Sequence, residues 1–178
     1  MKTTIIIPTL NAHEPWFLKA VASCAFADEI IITRKDGLTN AVNDAAIQAS
    51  GDYIAVLPDD DYFLPEINEA IKNIDGDIWH FPCRHQIEDG EISAELFDVS
   101  PGITKEENLR QNRVHGSSFI KKNVFRFLGG YQGDICMDAH LWNRALTMGS
   151  KFVYYPGPCV VFRWNKHSML QCRAGHHG

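Results

Sequence analysis

The sequence predicts an α/β fold, a central mixed and mostly parallel sheet flanked by helices, and three observations carry that expectation. Short β-branched runs alternate with stretches whose apolar residues recur at helical spacing. The connections between them are short, as βαβ units require. At 178 residues the chain has room for one sizeable core and no second independent domain.

The elements follow in order. Thr3 to Ile7 is a β-branched strand ended by Pro8, and His13 to Phe26 carries apolar pairs at Trp16/Phe17, Ala20/Val21 and Cys24/Ala25, a helix. Glu29 to Thr33 is a second strand. Leu38 to Ser50 repeats the helical pattern through Ala41/Val42 and Ala45/Ala46, with Gly51 as its stop, and Tyr53 to Leu57 is a third strand. Pro65 and Glu66 open a helix to about Ile74, and Asp77 to Phe81 reads as a strand. Asp89-Gly90 between two β-rich stretches marks a hairpin. Thr104 with Glu107 is a capping-box signal for a short helix, Asp138 to Met148 is a longer one ending at Gly149, and Lys151 to Tyr155 and Cys159 to Arg163 are the last strands. The division expected is a ligand-binding half over about 1–81 and a second half over about 82–170, with a frayed tail after Gln171.

Composition narrows the function. An apolar share of 45% and a charged share of 22% are those of an ordinary globular protein. A net charge of -5 gives no broad electrostatic footprint for nucleic acid. The longest apolar runs, such as Ile5 to Ile7 and Ile30 to Ile32, are far short of a membrane span, and the few apolar residues before Pro8 are too short for a signal peptide, so cytoplasmic residence is expected. Five scattered cysteines without Cys-x-x-Cys spacing read as reduced packing residues.

The chemistry begins at Asp59-Asp60-Asp61. These carboxylates follow an apolar strand directly, which places them at the sheet's carboxyl edge, where ligands of open α/β sheets bind. Their repulsion is relieved by Mg²⁺ or Mn²⁺, hard ions that bridge carboxylate to diphosphate. An acidic triplet alone is also what a solvated turn looks like.

Four ordered blocks supply context: Ile5-Ile6-Ile7-Pro8-Thr9-Leu10-Asn11; Gly37-Leu38-Thr39-Asn40-Ala41-Val42-Asn43 leading through Ala49 to Leu57 into the aspartates, with Pro65 beyond; Gly116 to Lys122 followed by Gly129-Gly130-Tyr131; and Met137-Asp138-Ala139-His140-Leu141-Trp142-Asn143-Arg144, then Gly149, Tyr155-Pro156 and Arg163 to His167. Together they resemble the inverting family 2 glycosyltransferases, which implies a single GT-A-like, Rossmann-type domain. The resemblance implies a metal-dependent transfer from a nucleotide-diphosphate sugar to a hydroxyl acceptor. It places Pro8, Thr9, Asn11, Thr33, Asn40, Asn43, Asp59 and Asp60 on the donor, Asp60 and Asp61 on Mn²⁺ or Mg²⁺, and Asp138 as the general base; Arg34 is a further donor candidate, and His167, with Arg163 before it, is a candidate to close over the diphosphate and complete the metal shell. The alternative for Asp138 is a helix N-cap. The acceptor is open among glycan, lipid, protein, small molecule and modified nucleic acid base, and the small size suggests a large acceptor or a homo-oligomer partner.

The chain departs from the family in places. Ile32-Thr33-Arg34-Lys35-Asp36-Gly37 replaces the usual acidic pair, Gly and Ser that read base and ribose, and Val42 stands where Arg is common, which shifts an expected phosphate contact to Arg34 or Lys35. Met137 and His140 replace acids around Asp138. Trp79 reads as core, with His80 a further candidate for lining the sugar or acceptor pocket, and Trp142 reads as core; His115, His176 and His177 read as surface. A degenerate sugar-nucleotide-binding or scaffold protein and a nucleotidyltransferase are the competing readings.

Overall fold

The computed structural model describes residues 1–10, 14–34 and 37–164. The first strand, β1 (Thr3–Pro8), is buried along almost its whole length because its side chains alternate between two dry faces. Ile5 and Ile7 enter one core with Phe17, Ala20 and Cys24, while Ile6 enters a second with Val42, Ala45 and Ala46. The same period-2 division runs through β3 (Tyr53–Val56), β5 (Ile78–His80) and β7 (Phe119–Lys121): Ala55, Trp79 and Phe119 face the first core, and Ile54, Ile78 and Ile120 the second.

With β2 (Glu29–Thr33) and β8 (Phe152–Tyr154), these form a six-stranded sheet in the order β2-β1-β3-β7-β5-β8. The pairs β1–β2, β1–β3 and β5–β8 are parallel, and β7 is antiparallel to both its neighbours. Helices cover both faces. The apolar sides of α1 (Pro15–Ser23) and α3 (Ile67–Ala70), which runs on into a 3₁₀ turn at Ile71–Asn73, pack on the first core. Those of α2 (Leu38–Gln48), α5 (Lys122–Phe127) and α6 (Met137–Thr147) pack on the second. The fold is thus the mixed, mostly parallel, helix-flanked sheet that the sequence predicts. Trp79 and Trp142 are both core residues, 2% and 1% exposed.

A smaller sheet, in the order β4-β9-β6, joins β4 (Tyr62–Phe63), β9 (Val160–Trp164) and β6 (Cys83–Ile87). Here the structure corrects the expected hairpin. The turn exists, with Glu88 left-handed at φ 47° and Gly90 N–H bonded to Ile87 O at 2.9 Å. The returning arm meets β6 antiparallel at two isolated bridges, Gln86–Ile92 and Cys83–Phe97, with Ser93 N–H bonded to His85 O at 2.8 Å, while β6 takes β9 as its continuous partner. Strand β7, beyond residue 81, is inserted between β3 and β5, so the main sheet draws on both parts of the chain. The capping box does form on α4 (Lys105–Arg110): Thr104 Oγ1 accepts from Glu107 N–H, and Glu107 accepts from Thr104 N–H. No helix among the described residues is long and apolar enough to cross a membrane.

Gly51, between α2 and β3, lies directly against β1. A Cβ there would sit 2.7 Å from Thr4 N and 2.9 Å from Thr3 C, both backbone atoms that cannot swing aside. Gly51→Ala is therefore expected to destabilise the fold by about 1–3 kcal/mol, the usual cost of overpacking. A urea midpoint equal to the native chain's would show that β1 yields freely at this point.

Candidate active site

The carboxyl ends of β1, β2 and β3 gather most of the residues expected on the donor. Pro8 lies opposite Thr33 in the β1–β2 register, and Thr9 N–H donates to Thr33 O at 2.9 Å. Thr9 Oγ1 donates to an Asp59 carboxylate oxygen at 2.6 Å, which ties the end of β1 to the acidic turn. Asp59 and Asp60 are half-buried, while Arg34 and Asn40 are exposed. Asn11, Lys35 and His167 lie outside the described residues, as do Cys172, His176 and His177.

Asp61 differs from its two neighbours. It is 1% exposed; one oxygen accepts Arg163 N–H at 2.8 Å, and the other is buried with no hydrogen-bond partner among the described residues. Burial holds its carboxyl well above the usual aspartate range, Asp60 and Asp59 adding to the rise, against the pull of the Arg163 N–H and guanidinium. An orphaned, desolvated oxygen beside half-buried Asp60 is a donor set that fits a hard divalent ion. The three aspartates do not, however, converge as one ligand group. Among the described residues, the group of three or more potential ligands whose atoms lie within 4.8 Å of one another is Cys83, Asp98 and His115.

Arg163, which opens the last segment of the fourth motif block, lies on β9 in the smaller sheet. Its side chain is buried, stacked on Trp16 at 3.2 Å, ion-paired to Asp89 at 3.1 Å and bonded to Glu88 O at 3.3 Å. It braces the smaller sheet.

Asp138 stands in the first turn of α6, but the N-cap is Cys136, left-handed at φ 49°, so Asp138 is not the cap. It is half-buried, and Asn112 Nδ2 donates to its Oδ2 at 2.8 Å. A Cβ on Gly116 would come within 3.3 Å of that same oxygen, so the glycine leaves it room. Burial raises the Asp138 pKa, opposed by the Ala139 N–H and Asn112. Asn112 gave no signal in the sequence, whereas Gly116 opens the third motif block; both matter because α4 packs on α6 and the 112–118 segment returns past it.

Two ties connect Asp138 to the donor side. Thr39 Oγ1, one residue before Asn40, is within hydrogen-bond reach of Gly133 O and of Met137 Sδ, the latter at 3.0 Å. Asn43 accepts Tyr131 N–H at 2.9 Å and donates to Tyr131 O at 3.0 Å, so both ends of its amide hold the Gly130 turn. Arg144 Nε grips the same loop at Leu128 O, 3.1 Å away. Asn43 is placed here as a positioning residue.

Two further expectations change. His80 is 1% exposed and packs against Phe152 and Tyr154, with burial pushing its pKa down to about 4, so it is a neutral core histidine and lines no open pocket. His115, read as surface, is buried.

A carboxyl whose pKa rises on folding is costly when ionised, so Asp61 works against stability at neutral pH. The cost is relieved as pH falls through the raised folded value toward the ordinary one near 3.9. Asp61→Asn keeps an oxygen for Arg163 N–H and removes the charge. In the absence of ligands it should raise stability at pH 7, because the cost of a buried charge is gone although an unpaired polar group remains, and flatten the acid side of the stability profile. Thermal melts from pH 4 to 8 measure both; a destabilised variant with unchanged pH dependence refutes the account of Asp61.

No protein-family model matches the sequence, and no curated protein matches it. Solved structures do. S. aureus TarS 1–349 superposes with a TM-score of 0.70 at 14% identity over 92% of this chain, and a longer S. aureus TarS structure with 0.70 at 13%. TarS 1–349 in complex with UDP-GlcNAc gives 0.71 over 93% of this chain, and its complex with UDP gives 0.67. The chain spans 60% of TarS 1–349 and 37% of the longer TarS structure. At these identities the likeness is one of fold: this chain has the architecture of the matched part of TarS 1–349.

Proposed function

We propose that the chain transfers a sugar from a nucleotide-diphosphate donor to an acceptor hydroxyl with inversion at the anomeric carbon. The observation that carries this reading is Asp138: a half-buried carboxylate of raised pKa, positioned by Asn112 and Gly116 and linked through Met137 and Thr39 to the helix that carries Asn40. The shared fold with a protein solved in complex with UDP-GlcNAc supports the donor class.

The acceptor oxygen attacks the anomeric carbon as the bond to the diphosphate breaks and its electron pair leaves with the phosphate. The acceptor proton passes to Asp138. Burial makes that carboxylate a stronger base than an exposed aspartate and so brings its pKa toward working pH. Its protonation as pH falls through the raised pKa removes the base, so activity is lost on the acid side. Asp60 and Asp61 would hold Mn²⁺ or Mg²⁺, which supplies charge neutralisation at the departing diphosphate. Thr9 orients Asp59 toward the ribose side of the same turn, and Arg34 supplies a planar cation for phosphate oxygens.

Asp138→Asn should leave UDP or UDP-sugar affinity nearly unchanged and lower turnover by roughly two to four orders of magnitude, the reach of a positioned general base. Turnover assays with UDP-sugars and a panel of hydroxyl acceptors, paired with calorimetric donor binding, separate the two effects. Undiminished turnover removes Asp138 from the chemistry, and donor binding without turnover in the native chain favours a sugar-nucleotide-binding protein instead. Asp60→Asn should abolish the Mn²⁺ dependence of donor binding; unchanged metal dependence returns the triplet to a solvated turn.

A further inference from the structure

We propose that Cys83, Asp98 and His115 form a second metal site, distinct in chemistry from the acidic turn and selective for Zn²⁺. One donor atom from each lies within 4.8 Å of the others, and they come from three separate segments: the start of β6, the arm after the Glu88–Gly90 turn, and the stretch leading to Gly116.

The site is built rather than incidental. Cys83 and Phe97 exchange both backbone hydrogen bonds at 2.9 Å, which fixes Asp98 beside the thiol. Asp98 itself is left-handed at φ 58°, a conformation uncommon for a side-chain-bearing residue. Cys83 Sγ lies 3.5 Å from Asp98 Oδ2. Tetrahedral zinc, with Zn–S of about 2.3 Å and Zn–O of about 2.0–2.2 Å, sets two such donors roughly 3.5 Å apart. Ser117 N–H donates to His115 Nδ1 at 3.1 Å, which orients the ring and puts the neutral imidazole's proton on Nε2; zinc ligation through Nε2 would move that proton to Nδ1 and release this bond. Cys83 and His115 are buried and Asp98 is half-buried, so an ion has dry walls and an entry path at the carboxylate.

The donor set decides the ion. One thiolate, one imidazole and one carboxylate suit Zn²⁺, whereas Mg²⁺ and Mn²⁺ take oxygen-rich sites like the acidic turn. Three protein ligands leave a fourth position for water. Bound zinc would pin β6 and the 97–98 arm to the segment that carries Gly116 to Asp138.

The test uses the full chain. After zinc loading and dialysis, metal analysis should find one tightly held Zn²⁺, and Co²⁺ substitution should give a thiolate-to-cobalt charge-transfer band. Cys83→Ser should lose that band, and His115→Ala should weaken zinc by at least about 10-fold, as disturbance of even the partners of metal ligands does. Asp60→Asn should keep both zinc and band, which separates this site from the donor site. Cys172→Ser should keep the band as well, which separates it from the C-terminal tail. Substoichiometric zinc, cobalt bound without a thiolate band, or a band that vanishes in Cys172→Ser overturns the proposal. Should Cys83→Ser fail to fold, the band in native and Cys172→Ser chains decides.

Discussion

Strand β3 is the constraint on which the rest of the structure rests. Three of its four residues, Tyr53, Ile54 and Ala55, are buried, their side chains divided between the two cores, and backbone groups sealed from water in this way must be paired. Parallel β1 closes one edge along all four residues, and antiparallel β7 pairs with Tyr53 and Ile54 on the other. Once β3 is enclosed in this way, the chain leaving it has one direction to go, and that exit is Asp59-Asp60-Asp61. Three carboxylates are thus delivered to the end of the sheet by a strand that cannot relax away from them.

The smaller sheet completes that delivery. Tyr62 and Phe63 follow the aspartates immediately and pair antiparallel with Val161 and Val160, a register that brings Arg163 N–H onto Asp61. Arg163 in turn is braced by Trp16 and Asp89. A charge is held in a dry place by one backbone donor and little else. The same tension recurs at Asp138, where burial opposes ionisation and Asn112 favours it. At both positions burial opposes the ionised carboxylate, so each lowers fold stability.

The conformation around Asp138 depends on contacts that cross most of the sequence. Thr39 reaches Met137, Asn43 grips Tyr131 from both sides, and Arg144 takes the same loop from α6. Helix α2, the 128–133 loop and the start of α6 are therefore one mechanical unit. Gly130, left-handed at φ 65° with Asn43 Oδ1 where a Cβ would fall, makes that close approach possible.

The long, strongly periodic elements were legible in the sequence by itself: β1, α2, β3, the capping box on α4 and the bulk of α6 each carry a pattern that repeats within a few residues. The acidic turn was legible too, because it follows a strand directly. What needed the tertiary structure were features whose partners are distant in sequence. Strand β7 is three residues long, too short to show alternation, and is a central strand only because β3 and β5 accept it. Asp61 and Asp59 look alike as letters; one is sealed under Arg163 N–H and the other is bonded to Thr9. His115 carries no local sign of burial, and it meets Cys83 and Asp98, which the Cys83–Phe97 bridge holds together, from a third segment distant in sequence. Local propensity and hydrophobic period act over one or two turns of chain, whereas desolvation and ligand geometry are set by what the completed fold brings alongside.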